Sequence, residues 1–258
     1  NASGTVLRTV QAYSPSTNAW TSKGSLPAAR QGGNGATTIN GIMYVPGGED
    51  ATGAPTKTLY AYNPSTNAWT TRAQMPTYGA CGGSAPIGGR LYVFSGCTRS
   101  STGAEINARL LQRYTPATNT WTTLPPAPVV HFRPAVAMYG GKLYVVGGNN
   151  ASGTAIRRVD MYDPVTNTWS TRAAMPTARL NAGATFVGGK LYVVGGRSGT
   201  AYLNTVEVYD PATNTWTSRA AMPTPRTALG VGAVNGFIYA IGGRNATAAL
   251  ATNERLTP

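Results

Sequence analysis

The sequence predicts an all-β chain folded as a five-bladed β-propeller, with four antiparallel strands to a blade. Three observations carry that expectation. The five tryptophans stand on a ladder, Trp20, Trp69, Trp121, Trp169 and Trp216, with spacings of 49, 52, 48 and 47. Pairs of small residues keep the same period: Gly47-Gly48, Ser95-Gly96, Gly147-Gly148, Gly195-Gly196 and Gly242-Gly243. The composition, 32 glycines in 258 residues and 11% charged, suits short strands and tight turns rather than a helical bundle. A period of about 50 residues with glycine pairs and aromatic marks belongs to propellers, not solenoids.

The unit that begins at Arg179 shows why each strand is expected. Ala182 to Val187 is small and apolar, and Gly188-Gly189 makes a tight turn. Leu191 to Val194 is a continuous apolar run, as in a strand buried on both faces. Gly195-Gly196 ends it where another backbone must approach closely. Val206 to Tyr209 reads as the third strand. Asp210-Pro211 opens a turn, since proline presets φ and the aspartate side chain bonds the backbone. Thr215-Trp216-Thr217 is the outer strand. A tyrosine stands seven residues before each tryptophan, at Tyr13, Tyr62, Tyr114, Tyr162 and Tyr209.

This pattern resembles the Kelch repeat. The matching residues are Leu-Tyr-Val-Val-Gly-Gly at 143–148 and 191–196, Tyr-Asp-Pro at 162–164 and 209–211, and Trp169 and Trp216. The resemblance covers the whole chain, read as a single domain over 1–258, and implies four-stranded blades around a central channel. The second copy departs from it, with Ser95 for the first glycine and an insertion near 99–107.

Strand counting sets the closure. Asn1-Ala2-Ser3-Gly4-Thr5 mirrors Asn150-Ala151-Ser152-Gly153-Thr154, so the chain opens on a third and a fourth strand, about 6–13 and 18–22. Four full blades follow, then first and second strands at about 229–234 and 237–241 and a degenerate third strand at Asn253-Glu254-Arg255-Leu256. N- and C-terminal strands are expected to share the fifth blade, leaving one third strand to spare. A six-bladed ring lacking strands is the alternative.

The net charge is +13, which suggests anionic partners, although only Arg157-Arg158 are adjacent basic residues. Ten residues after each tryptophan stand Arg30, Gly79, His131, Arg179 and Arg226, with Arg133 close by. After each glycine pair stand Glu49, Cys97, Asn149, Arg197 and Arg244. These positions share one face and are expected to form a basic funnel, because guanidinium groups grip carboxylates and phosphates with two hydrogen bonds. In Kelch substrate-adaptor domains, arginines at matching positions bind acidic peptides. By that resemblance Arg30, Arg179, Arg226, Arg197 and Arg244 are the ligand candidates, with His131 and Arg133 beside them. The competing reading is that the leading arginines anchor loop carbonyls. Asp160, Glu207 and Glu254 recur at one position and are expected to form blade-to-blade ion pairs, with Arg172 or Arg219 as partners.

Cys81 and Cys97 bracket a hairpin and are the disulfide candidate, which would indicate a secreted, extracellular or periplasmic setting. Asn1, Asn150 and Asn245 begin N-x-Ser/Thr sequons. No apolar run approaches the roughly 18 residues of a membrane span, and no leader pattern opens the sequence. One histidine excludes a multi-histidine metal site, and Glu49, Asp50 and Glu105 have no ligand spacing, so no metal and no cofactor are expected. Copper-oxidase relatives need two histidines, and specifier-type relatives need a Glu/Asp/His cluster not found here. The expectation is therefore a non-enzymatic, monomeric binding scaffold holding a protein, an acidic peptide or an anionic glycan. The alternative is a symmetric scaffold, natural or engineered, with no ligand of its own. Near-identical stretches at 170–176 and 217–223 favour recent duplication or design. Nucleic-acid binding lacks a basic stripe with stacking aromatics.

Overall fold

The computed structural model describes residues 5–100 and 105–258. The mirror of Asn1-Ala2-Ser3-Gly4, the sequon at Asn1 and part of the 99–107 insertion fall outside them. The described residues contain strands, turns and no helix, so none is long and apolar enough to cross a membrane.

The chain opens on a hairpin, β1 (Val10–Ser14) and β2 (Ala19–Lys23). The first blade is β3 (Thr37–Ile39), β4 (Ile42–Pro46), β5 (Leu59–Asn63) and β6 (Ala68–Arg72). The second is β7 (Gly83–Ile87), β8 (Arg90–Arg99), β9 (Glu105–Thr115) and β10 (Thr120–Leu124). The third is β11 (Ala135–Tyr139), β12 (Lys142–Val146), β13 (Val159–Asp163) and β14 (Thr168–Arg172). The fourth joins β15 (Gly183–Val187) and β16 (Lys190–Val194) to β19 (Val206–Asp210) and β20 (Thr215–Arg219). Its loop carries a small hairpin, β17 (Arg197–Ser198) and β18 (Ala201–Tyr202). The fifth is β21 (Gly230–Val234), β22 (Phe237–Ile241) and β23 (Asn253–Leu256). Neighbouring strands are antiparallel throughout, and the five blade sheets follow one another around a ring as expected, with the β1–β2 hairpin a further sheet between the last and the first.

The core lies between blades rather than within them. One apolar cluster joins the first and second blades through Leu59, Tyr44, Leu91 and Tyr114. A second joins the second and third through Phe94, Leu111, Leu143 and Tyr162. A third joins the third and fourth through Val146, Met161, Leu191 and Tyr209, and a fourth joins the fourth and fifth through Val194, Val208, Ile238 and Ala240. The Leu-Tyr-Val-Val run is buried on both faces because its two neighbours are other blades. Gly148, at φ +88°, shows why the glycine pair recurs. It holds a left-handed conformation, and a side chain there would press on the Phe132 carbonyl, while its N–H donates to Arg179 O of the next blade at 2.8 Å.

The closure is not the expected one: the N- and C-terminal strands do not share a blade, and the fifth blade has three strands. β22 pairs with β23, Ile241 opposite Asn253, and the β1–β2 hairpin forms a sheet of its own. Both chain ends carry a third strand, and β22 has one edge to give. The C-terminal strand reaches it through the short loop 242–252, which costs less loop entropy than recruiting the other end of the chain.

Candidate functional site

Each blade turns into its first strand through one residue with a left-handed backbone: Gly32, Cys81, Arg133, Asn181 and Ala228, with φ between 52° and 58°. Their N–H groups form a relay, Cys81 to Gly32 O, Arg133 to Cys81 O, Asn181 to Arg133 O and Ala228 to Asn181 O, at 2.9 to 3.0 Å. The residue just before each is bridged to the one after the glycine pair, as in Leu180 with Arg197 and Thr227 with Arg244. Gly32, Cys81, Arg133, Asn181 and Ala228 thereby line the channel mouth, joined by Glu49, Arg197 and Arg244 from the position after the glycine pair.

The mouth is a cavity of about 660 Å³. Arg133, Arg197 and Arg244 line it from three consecutive blades, with Tyr202 of β18 beside them and Glu49 among the lining residues from the first blade. Arg197 and Arg244 are exposed and Arg133 is half-buried, its guanidinium 4.8 Å from the Phe132 ring centre. None of the three makes an ion pair among the described residues. Asn149, the post-glycine residue of the third blade, is half-buried.

The leading residues sit elsewhere. Arg179 and Arg226 are 1% and 0% exposed, inside their blades. Arg179 Nη1 donates to Gly195 O at 2.9 Å and its Nη2 stands 2.8 Å from Glu207. Arg226 Nη1 donates to Thr252 O at 3.1 Å and its Nη2 stands 2.6 Å from Glu254. His131, also 0% exposed, faces Gly147 O at 2.7 Å and Asp160 at 2.9 Å. Arg30 is half-buried and donates to Ala29 O, Thr58 Oγ1 and the Tyr60 hydroxyl. These four side chains are held by their own blades, and burial leaves Arg179, Arg226 and His131 no surface for a ligand. The acids Asp160, Glu207 and Glu254 pair within their own blades, not across to Arg172 or Arg219. Burial pushes the Arg179 guanidinium below its ordinary value, and the Glu207 carboxylate opposes that shift.

Cys81 and Cys97 form a disulfide with Cα atoms 5.4 Å apart. The register places Ala80 opposite Cys97, so the bridge runs one residue off the direct pair. Glu49, Glu105 and both sulfurs lie within 4.8 Å of one another. The sulfurs are bonded to each other and cannot serve as thiolate ligands. Two carboxylates remain, fewer than a hard cation takes. Burial raises the Glu49 carboxyl above the ordinary range, the neighbouring Glu105 raises it further, and Arg133 partly offsets both. The Asn150 and Asn245 side chains of the remaining sequons accept hydrogen bonds from Ser152 N and Thr247 N, closing the loops around the rim.

Sequence reasoning underused the position twelve residues after each tryptophan and missed Tyr202. The first was readable, since Gly32, Cys81, Arg133, Asn181 and Ala228 keep the repeat period. Tyr202 falls in the irregular loop of one blade and carries no periodic mark.

Residues 1–171 and 83–254 match the family model described as the KLHDC2/KLHL20/DRC7 Kelch-repeats domain. Kelch-like protein 36 of Rattus norvegicus and of Mus musculus are each 31% identical over 154 residues, 59% of this chain and 25% of theirs. Kelch-like protein 34 of Homo sapiens is 26% identical over 147 residues, 57% of this chain and 22% of its own. The matched region is thus a quarter or less of each curated relative. The solved structure of YjhT superposes with a TM-score of 0.81 over 98% of this chain and 95% of that one. At 17% identity that likeness shows the fold alone.

Proposed function

The chain belongs to the Kelch-repeat family, and from that premise we propose that it is a non-enzymatic protein-interaction scaffold that holds an acidic peptide segment at its channel mouth. The arginine arc carries this reading: Arg133, Arg197 and Arg244 line one cavity from three blades, without ion-pair partners among the described residues. Guanidinium groups so placed take carboxylates with paired hydrogen bonds. Glu49 and Glu105 lie together beside the disulfide and would disfavour a uniformly anionic ligand such as a sulfated glycan. The disulfide supports an oxidising, secreted or periplasmic setting.

The test is binding to an array of acidic peptides and anionic glycans at low and moderate salt. A selective peptide hit that survives moderate salt, and that the combined change Arg133→Ala, Arg197→Ala and Arg244→Ala removes without lowering Tm, is expected. Uniform weak binding that vanishes with salt would leave net charge as the whole explanation and overturn the reading.

A further inference from the structure

Three contacts recur among the interfaces of the first four blades. The tyrosine of a second strand touches the tyrosine of the following blade's third strand: Tyr44 with Tyr114, Tyr92 with Tyr162 and Tyr144 with Tyr209, ring centres 5.8 to 6.3 Å apart. Tyr239 makes the same contact with Tyr13 of the hairpin, at 5.9 Å. Trp121, Trp169 and Trp216 each donate to a carbonyl just past the preceding blade's outer strand. Trp69 of the first blade donates to Gly24 O of the hairpin in the same way, at 2.7 Å. Gly24 N–H donates to Asn67, as Ala73 N–H does to Asn119. The hairpin therefore stands between the fifth and first blades, as the outer half of one more blade.

Among the described residues no strand fills the inner half of that position. β1 pairs with β2 alone, and β23 pairs with β22 alone. The hydrogen-bond relay runs from Ala228 to Gly32 through four links, and no bond joins Gly32 back to Ala228 among the described residues. No apolar cluster joins the fifth blade to the first among them. β21 is largely exposed, with Val234 at 43%, whereas β7 and β11 are alternately buried. Trp20 is 45% exposed beside a cavity of about 380 Å³ lined by Tyr13, Tyr239 and Arg255.

We propose that this interval is a docking site for one polypeptide segment outside residues 1–258 that supplies an outer strand and then two inner strands. One continuous stretch built like residues 165–196 of this chain meets every open requirement. Its outer strand would extend β23 and cover Trp20. Its two inner strands would fill the wedge beside β21 and extend β1 by backbone pairing, as in β-strand addition. The occupant's chemistry follows from the four interfaces already formed: small residues facing the axis, an apolar second strand and a glycine pair at its end.

The test is a synthetic peptide with the sequence of residues 165–196, titrated against the intact chain. Expected are saturable one-to-one binding and amide exchange slowed about tenfold or more in β1 and β23, the two strands whose free edges the peptide pairs. A peptide carrying Val193→Asp and Val194→Asp, and a scrambled peptide, should give neither. Unchanged exchange in β1 and β23, protection confined to the first four blades, or equal binding of the scrambled peptide would overturn the proposal.

Discussion

Arg179 and Glu207 face each other at 2.8 Å inside the fourth blade, with side-chain exposures of 0% and 4%. The same two repeat positions hold Arg226 and Glu254 in the fifth blade, His131 and Asp160 in the third, and Arg30 with Tyr60 in the first. The pair pins the segment leading into the innermost strand to the third strand of its own blade. Removing one partner leaves a buried charge unpaired. Arg179→Ala is expected to cost about 3–5 kcal/mol, whereas the joint change Arg179→Met with Glu207→Leu is expected to cost far less. Urea unfolding of the single and joint variants checks this; equal losses would mean that packing, not charge, sets the cost.

Asp160 gives the third blade an acid-sensitive anchor. Burial would raise its carboxyl, but hydrogen bonds from His131 and Arg158 outweigh that and hold it below the ordinary range. A lowered native value stabilises the fold above the unfolded value and loses that contribution as pH falls through the native one. Asp160→Asn is therefore expected to flatten the acid limb of Tm against pH, below about pH 4. An unchanged acid limb would place acid sensitivity elsewhere.

Glu49 carries the opposite sign. Its native value is raised, so the folded state holds the proton more tightly than the unfolded chain. Its charge costs stability once pH passes the native value, and the cost is absent below the unfolded value. Glu49→Gln is expected to raise Tm at neutral pH, with the gain gone below about pH 4. Thermal melts across pH decide it, and a loss at neutral pH would show that the carboxylate is doing structural work as an anion.

The Cys81–Cys97 bridge closes a short loop, with a sequence separation of 16. Loop-closure arithmetic for that length gives about 3 kcal/mol. Cys81→Ser with Cys97→Ser is expected to lower stability by that order and to make Tm insensitive to reductant. A double variant as stable as the parent would mean that native strain cancels the entropy term.

Much of the fold was legible because each blade repeats one physical solution. Trp169 and Trp216 find the same kind of carbonyl in the preceding blade, and Leu143 and Leu191 are buried by the same kind of neighbour. The disulfide was legible as two cysteines across one hairpin. The candidate site was half legible. The arginine ladder was visible, yet repetition cannot say whether a side chain turns outward or into its blade. Arg179 turns inward because Glu207 and the Gly195 carbonyl wait there, whereas Arg197 follows the glycine pair onto the rim.

By itself the sequence determined the strand order, the blade period and the apolar runs, since each depends on residues close in the chain. Tertiary structure decided two things. It chose which third strand pairs with β22, because two segments competed for one edge and the shorter loop won. It also divided the arginines between wall and mouth, because burial of a charge is settled by the partners that other strands bring to it.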